Sequence, residues 1–432
     1  MMGIGDARAM HIQPSAGQRS SSGSPLGSPW RRYLAVFGPG LVVMLADTDV
    51  GSVITAGQSG AQWGYKLLLL QLVLIPILYI VQELTVRLGL FTGRGHGELI
   101  RDTFGAFWAW VSVAGLTIAV MGALITELAG VAGVGELYGV PRWGSLVLAV
   151  AVLLGTVLTG SYRRVERVAI ALGLFELAFF VVAWWAGPSL GALAQGAVSI
   201  PWTNKDYAYL AAANIGAVIM PWMVFYQQSA VAEKRLGPEH LRPARADTAF
   251  GALVTQLVMA AVLIATAATL GAAGKSSGHD TVGDLAGALV PYLGVGAGKL
   301  VFSLGILGAG MVAAIVVTLA LAWGVGEVAG YKRSLELRPR EAGWFYGIYA
   351  VGVVGCAVLV LIWPNLVALN VGVQIMNALL LPFVLGFLVA LARRALPAAV
   401  RLRGAYYWVV VVVVVLTTAL GVFGGFSGAG LL

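Results

Sequence analysis

Asp47 and Asp49 stand two residues apart in the run GPGLVVMLADTDVGSVITAG, among Thr48, Ser52 and Thr55. An acid at bilayer depth costs a few kcal/mol even on a lenient insertion scale, so each needs a cation, a proton or a basic partner. No Lys or Arg falls within the neighbouring apolar stretches. A hard cation held by one or both carboxylates and by freed backbone carbonyls accounts for the pair economically. The competing account is protonation with hydrogen bonds to nearby backbone, and it weighs more heavily on Asp47. Spacing at i, i+2 puts the two on opposite helix faces unless the segment is unwound.

A second chemistry-bearing run is ANIGAVIMPWMVFYQQSA. Pro221 removes a backbone donor there and frees a carbonyl about one turn earlier, near Ala217. Met220 offers a thioether, a soft ligand that favours manganese, iron or cadmium over calcium and magnesium, although most membrane methionines only pack. Gln227, Gln228, Gln374 and Asn377 are polar groups at depth, and as interhelical hydrogen-bonding residues they are worth about 0.6 to 2 kcal/mol each. Glu127, Glu136, Glu176 and Glu327 are acids able to relay protons. His11, His96, His240 and His279 all fall in the tail or in expected loops, which leaves no histidine at the midplane.

The elements that position these residues follow from composition. Of 432 residues, 59% are hydrophobic and 11% charged, and mean hydropathy is +0.88, which excludes an ordinary soluble domain. Apolar windows long enough to cross about 30 Å of hydrocarbon recur along the chain. They predict an all-α polytopic membrane protein of about eleven helices, at approximately 34–57, 66–90, 108–138, 144–160, 168–186, 207–230, 247–271, 297–329, 343–363, 366–393 and 404–426. Runs such as YYWVVVVVVVLTTAL lack the period-2 alternation of a barrel strand.

A net charge of +8 raises the question of nucleic acid, but the basic residues mark topology instead. Of 27, 22 fall on one side of the expected spans and five (Lys66, Arg142, Lys205, Lys275 and Lys299) on the other. With positive inside, the chain sits in the plasma (inner) membrane with its N-terminus cytoplasmic and its C-terminus outside. The lone Cys356 excludes an internal disulfide. Residues 1–33 read as a disordered cytoplasmic tail without a secretory signal. The longest loop, GAAGKSSGHDTVGDL, carries no catalytic module.

The two interruptions fall in spans one and six. That separation is expected if residues 34–186 and 207–393 form two inverted repeats of five helices, with 404–426 as a peripheral eleventh. Broken helices at equivalent positions point to a midplane substrate site.

Three stretches, GPGLVVMLADTDVGSVITAGQSGAQWGY, RLGLFTGRGHGELIRDTFG and GAVIMPW, resemble those of the NRAMP family of divalent metal transporters. The resemblance spans nearly all eleven helices and implies a LeuT-like 5+5 fold with broken helices 1 and 6. Counting back from Trp63, Gly64 and Tyr65, the family's Asp-Pro-Gly-Asn falls on Asp49, Val50, Gly51 and Ser52. Its Ala-x-x-Met-Pro-His falls on Ala217, Met220, Pro221 and Trp222, so the carbonyl and thioether ligands are kept and the histidine is lost. Gln374 falls on a glutamine that joins the family site on closure. The family's Asp-Leu-Ala-Glu, tied to proton movement, falls on Glu127, Leu128, Ala129 and Gly130, so one acid survives and the other is gone.

The resemblance therefore implies an importer of divalent transition metals, with Asp49, Ser52, Ala217, Met220 and Gln374 as direct or water-bridged ligands. Asp47 and Gln227 are additional candidates, direct or through water, and Glu127 belongs to the proton pathway. The ion is substrate and no cofactor is required. Protons are an open co-substrate, because Trp222 and Gly130 replace proton-linked residues. The remaining partner is the lipid bilayer, with no nucleic acid. Losses at the same positions also occur in a magnesium-transporting branch of the family, but that branch abandons the methionine kept here. Other readings are an amino-acid or organic-cation symporter, in which Asp49 pairs with an amine, and a membrane sensor. An enzyme is not expected, since the chain has no intramembrane His, no Ser-His-Asp set and no His-Glu-x-x-His.

Overall fold

A computed structural model describes residues 38–201, 203–272, 285, 294, 296–362 and 370–428. The expected tail and His279 lie outside them. Every regular element among the described residues is helical. Among the described residues nine helical stretches are long and apolar enough to cross a membrane, and Arg142–Val157 is a shorter apolar helix. One of the nine, Val50–Thr92, joins the second half of the first expected span to the whole of the second through a short 3-10 turn at Gly64–Leu67, so with Arg142–Val157 each of the eleven expected spans has a helix.

In chain order the first span is α1 (Pro39–Asp47) and α2 (Val50–Trp63), and the second is α3 (Leu68–Thr92). There follow α4 (His96–Phe104), α5 (Ala106–Leu137), α6 (Arg142–Val157), α7 (Tyr162–Gly173), α8 (Ala178–Trp185) and α9 (Leu190–Val198). The sixth span is α10 (Lys205–Val218) and α11 (Pro221–Glu233). The rest are α12 (Leu241–Thr266), α13 (Ala297–Ala329), α14 (Gly343–Ile362), α15 (Asn370–Arg394) and α16 (Gly404–Gly428). The long, largely buried α13 runs along α5 and forms the middle of the bundle, while α16 lies against α10 and α15.

Both expected interruptions are present. Helix α1 ends at Asp47, Asp49 is extended (φ −71°, ψ 167°), and α2 restarts at Val50. Helix α10 ends at Val218, Ile219 leaves the helical conformation, Met220 is extended, and Pro221 takes the first position of α11, where its missing donor costs nothing. The start of α1 is capped from a distance: the amides of Gly38, Gly40 and Leu41 donate to the Asp247 carboxylate of α12 at 3.2, 2.8 and 3.2 Å. This satisfies the orphan donors of a buried helix end, a role the sequence of Asp247 did not disclose.

Two short helices, α4 and α9, occupy segments expected to be loops. His96 accordingly is not a loop residue; it opens α4 and is buried, with Nδ1 3.0 Å from Gln228 Oε1 and its ring edge-on to Phe225. The Gly97 amide donates to Glu327 at 2.8 Å, and Arg94 pairs with Glu98 and Asp102. Burial, only partly offset by the Gln228 bond, pushes the imidazole from its ordinary 6.5 down to about 4. An unfolded His96 takes up a proton below about 6.5 and the folded one does not, so docking of α4 weakens as pH falls from 6.5 towards 4. Amide exchange across 96–104 is expected to speed up in that window beyond its intrinsic pH dependence, and His96→Gln is expected to remove the effect.

Candidate metal centre

The break in the first span brings two carboxylates to the start of α2. Asp49 Oδ1 accepts from Ser52 N at 2.5 Å, the ordinary N-cap bond. Glu127 Oε2 on α5 accepts from Val50 N at 3.0 Å. Two acids thus face the positive end of one helix, where they take up its free amides. Glu127, expected on a proton route, is therefore first of all a cap for α2.

The second broken span meets the first at Ser52, whose hydroxyl donates to Ala217 O at 2.9 Å. That carbonyl is one freed by the break before Pro221. Asp49, Ser52 and Ala217 are all buried within one hydrogen-bonded chain. Asp49 Oδ2 has no hydrogen-bond partner among the described residues, which leaves a carboxylate oxygen for a ligand. Met220 is buried at the N-cap of α11, three residues after Ala217.

Gln374 joins through α15. Its amide stands so close to Gly51 that any side chain there would collide with it, and its backbone carbonyl fits against Gly216 in the same way. Asn377 Nδ2 donates to Gln374 Oε1 at 3.1 Å, and Asn370, one turn earlier, donates to Gly51 O at 3.1 Å. Asn370 was overlooked in sequence, although its spacing of four from Gln374 places both on one helix face. Asn370 also lines a cavity of about 330 Å³, together with Gln58, Gln62, Asp206 and Tyr209.

Asp47 is the last residue of α1, and neither of its oxygens has a hydrogen-bond partner among the described residues. It interacts electrostatically with Asp49, and Glu176, beside Thr48, interacts with both. Gln227 is not brought to the break. It lies roughly 10 Å further along the helix axis than Met220, by a rise of 1.5 Å per residue, and donates to Thr248 Oγ1 at 2.9 Å. Among the described residues no three His, Cys, Asp or Glu side chains converge as a metal cage. The groups that meet here are mixed instead: the Asp49 carboxylate, the Ser52 hydroxyl and the Ala217 carbonyl, with the Gln374 amide against Gly51.

Two departures from the expected signatures prove to be coupled. A side chain on Gly130 would lie 2.5 Å from Val50 Cγ1, and Val50 also reaches Gly310 of α13. Val50 thus fills the space an acid at residue 130 would need. Gly130→Glu alone is expected to lower the melting temperature steeply, and adding Val50→Ala is expected to recover much of the loss in a double-mutant cycle. Additive losses in that cycle would contradict the coupling.

A bundle with helices 1 and 6 broken face to face, and polar donors held at both breaks, is a LeuT-like transporter fold. The chain belongs to the NRAMP family: the description "Natural resistance-associated macrophage protein-like" matches residues 40–427. It is similar to the divalent metal cation transporter MntH of Brucella suis, 32% identical over 68% of this chain and 67% of that one. It is also similar to MntH of Agrobacterium fabrum, 30% identical with the same coverage. A crystal structure of the manganese transporter of Eremococcus coleocola superposes with a TM-score of 0.77 at 20% identity, covering 96% of this chain and 92% of that one, which establishes the fold.

Proposed function

We propose that this protein imports divalent metal cations of the manganese and iron class by alternating access. The observation that carries the reading is the meeting of Asp49, Ser52 and Ala217 where the two broken helices face each other. Asp49 supplies the charge, Ala217 a carbonyl, Met220 a soft sulfur, and Gln374 an amide oxygen once it turns from Asn377. Coordination through Ser52 Oγ rotates its hydroxyl hydrogen away from Ala217 O, so a contact between the helices becomes a contact with the ion. Residues 34–186 and 207–393 act as the two inverted repeats, 404–426 is peripheral, and rocking of helices 1 and 6 against the remainder exposes the site to each side in turn. The N-terminus is cytoplasmic, the C-terminus outside, and the potential of the plasma (inner) membrane drives the cation inward. No covalent step is involved.

Proton coupling is weakened or lost. Trp222, fully buried at the start of α11, carries no titratable group, and Gly130 is closed off by Val50. Uptake of Mn²⁺ into proteoliposomes with internal pH recorded tests both parts: metal entry without acidification is expected. Parallel proton entry would refute the loss of coupling, and absence of any metal entry would refute the reading itself.

Magnesium is the second reading, favoured by Asp47. A small Ser52 and a second acid whose oxygens have no hydrogen-bond partner among the described residues suit a partly hydrated ion held through water. Failure of excess Mg²⁺ to compete with Mn²⁺ uptake removes this reading.

A further inference from the structure

Away from the metal centre, α15 and α16 leave a groove of about 570 Å³ between them, lined by Leu385, Val389, Val411 and Val415 and closed at one end by Arg393 and Arg394. We propose that this groove binds one anionic phospholipid of the phosphatidylglycerol kind, its acyl chain along the valines and its phosphate on the two guanidinium groups.

The charge pattern selects the occupant. Arg393, Arg394, Arg401 and Arg403 fall within one short stretch, and no acid follows Glu341 anywhere in the sequence. Arg393 and Arg394 are exposed, and neither has an acid within ion-pair distance among the described residues. Glu83, which Tyr406 Oη reaches at 3.4 Å, is already held by Arg87 at 2.7 Å and Arg245 at 2.6 Å. Both arginines are propped by aromatic rings: Arg393 stands 4.6 Å over Tyr407 and donates to its hydroxyl at 3.2 Å, and Arg394 stands 5.3 Å over Phe104. A guanidinium fixed by a ring presents its remaining N–H groups in the flat fork that suits a phosphate, and loses little freedom on binding. Basic pockets between helices with an apolar floor beneath them are built to hold acidic lipid headgroups.

The inference rests on the membrane reading but not on transport, and its test reads lipid rather than metal. Full-length protein in mild detergent is given phosphatidylglycerol and phosphatidylcholine with identical chains, and retained lipids are counted by native mass spectrometry. Wild type is expected to keep phosphatidylglycerol about tenfold in preference. Arg393→Gln/Arg394→Gln is expected to abolish that preference, while the charge-matched Arg163→Gln/Arg164→Gln, exposed on α7, leaves it intact. Val411→Trp, which fills the groove without touching charge, is expected to reduce phosphatidylglycerol retention as well. Equal retention of the two lipids by wild type, or equal losses in the two arginine pairs, overturns the proposal.

Discussion

Asp49→Asn is expected to reduce metal uptake by roughly 30-fold to several thousandfold while leaving the protein folded. Asparagine caps a helix about as well as aspartate, so the bond to Ser52 N and the start of α2 survive. What disappears is the negative charge at the meeting point of the broken helices. Losing a buried charge from a matched pair costs roughly 2 to 5 kcal/mol, or roughly 30-fold to several thousandfold in affinity. Asp49→Ala adds the loss of the cap, about 1 kcal/mol, and is expected to be both inactive and less stable. The measurement is Mn²⁺ uptake into liposomes alongside a melting curve. Wild-type uptake by Asp49→Asn would remove the carboxylate from the mechanism. The same substitution at Asp47 is expected to leave uptake within a fewfold of wild type and to alter competition by hydrated ions.

Met220→Leu should change which ion is chosen rather than whether one is carried. Leucine conserves volume, and the break depends on Pro221, so the helix geometry persists. Removing the sulfur takes away the donor that distinguishes manganese, iron and cadmium from calcium and magnesium. Competition of Ca²⁺ and Mg²⁺ against Mn²⁺ is expected to strengthen about tenfold, the equivalent of about 1.4 kcal/mol. If Asp49 instead paired with an organic amine, loss of the thioether would leave selectivity among substrates unchanged.

How far these features were legible in sequence depended on how local their causes are. The spans could be read because the thickness of hydrocarbon imposes length and composition directly, and α13 spans the same residues, 297–329, that hydropathy predicts. The breaks could be read because a proline and two acids at depth each violate a strong local rule. Helix α4 could not, since HGELIRDTF is short and polar, and its anchors, Glu327 and Gln228, lie far away in the chain. The same limit hid the capping of α1 by Asp247 and of α2 by Glu127, which pair residues 77 to 209 positions apart.

At the site, Asp49, Ser52 and Ala217 were named from motif register and are brought together, while Gln227, named for its polarity at depth, is turned to Thr248. Polarity in a membrane helix announces that a partner exists without saying which one. The loss of the acid at Gly130 looked like a functional change alone. The packing of Val50 into that space shows it to be steric as well, a relation invisible until α2 and α5 are placed side by side.

The most direct test of the central claim is anomalous diffraction at the manganese edge from crystals grown with Mn²⁺. A single strong peak is expected between the two breaks, within bonding distance of an Asp49 carboxylate oxygen, the Ala217 carbonyl and the Met220 sulfur, and it is expected to vanish in Asp49→Asn. A peak centred elsewhere, or one that persists undiminished in Asp49→Asn, would contradict the assignment of this site.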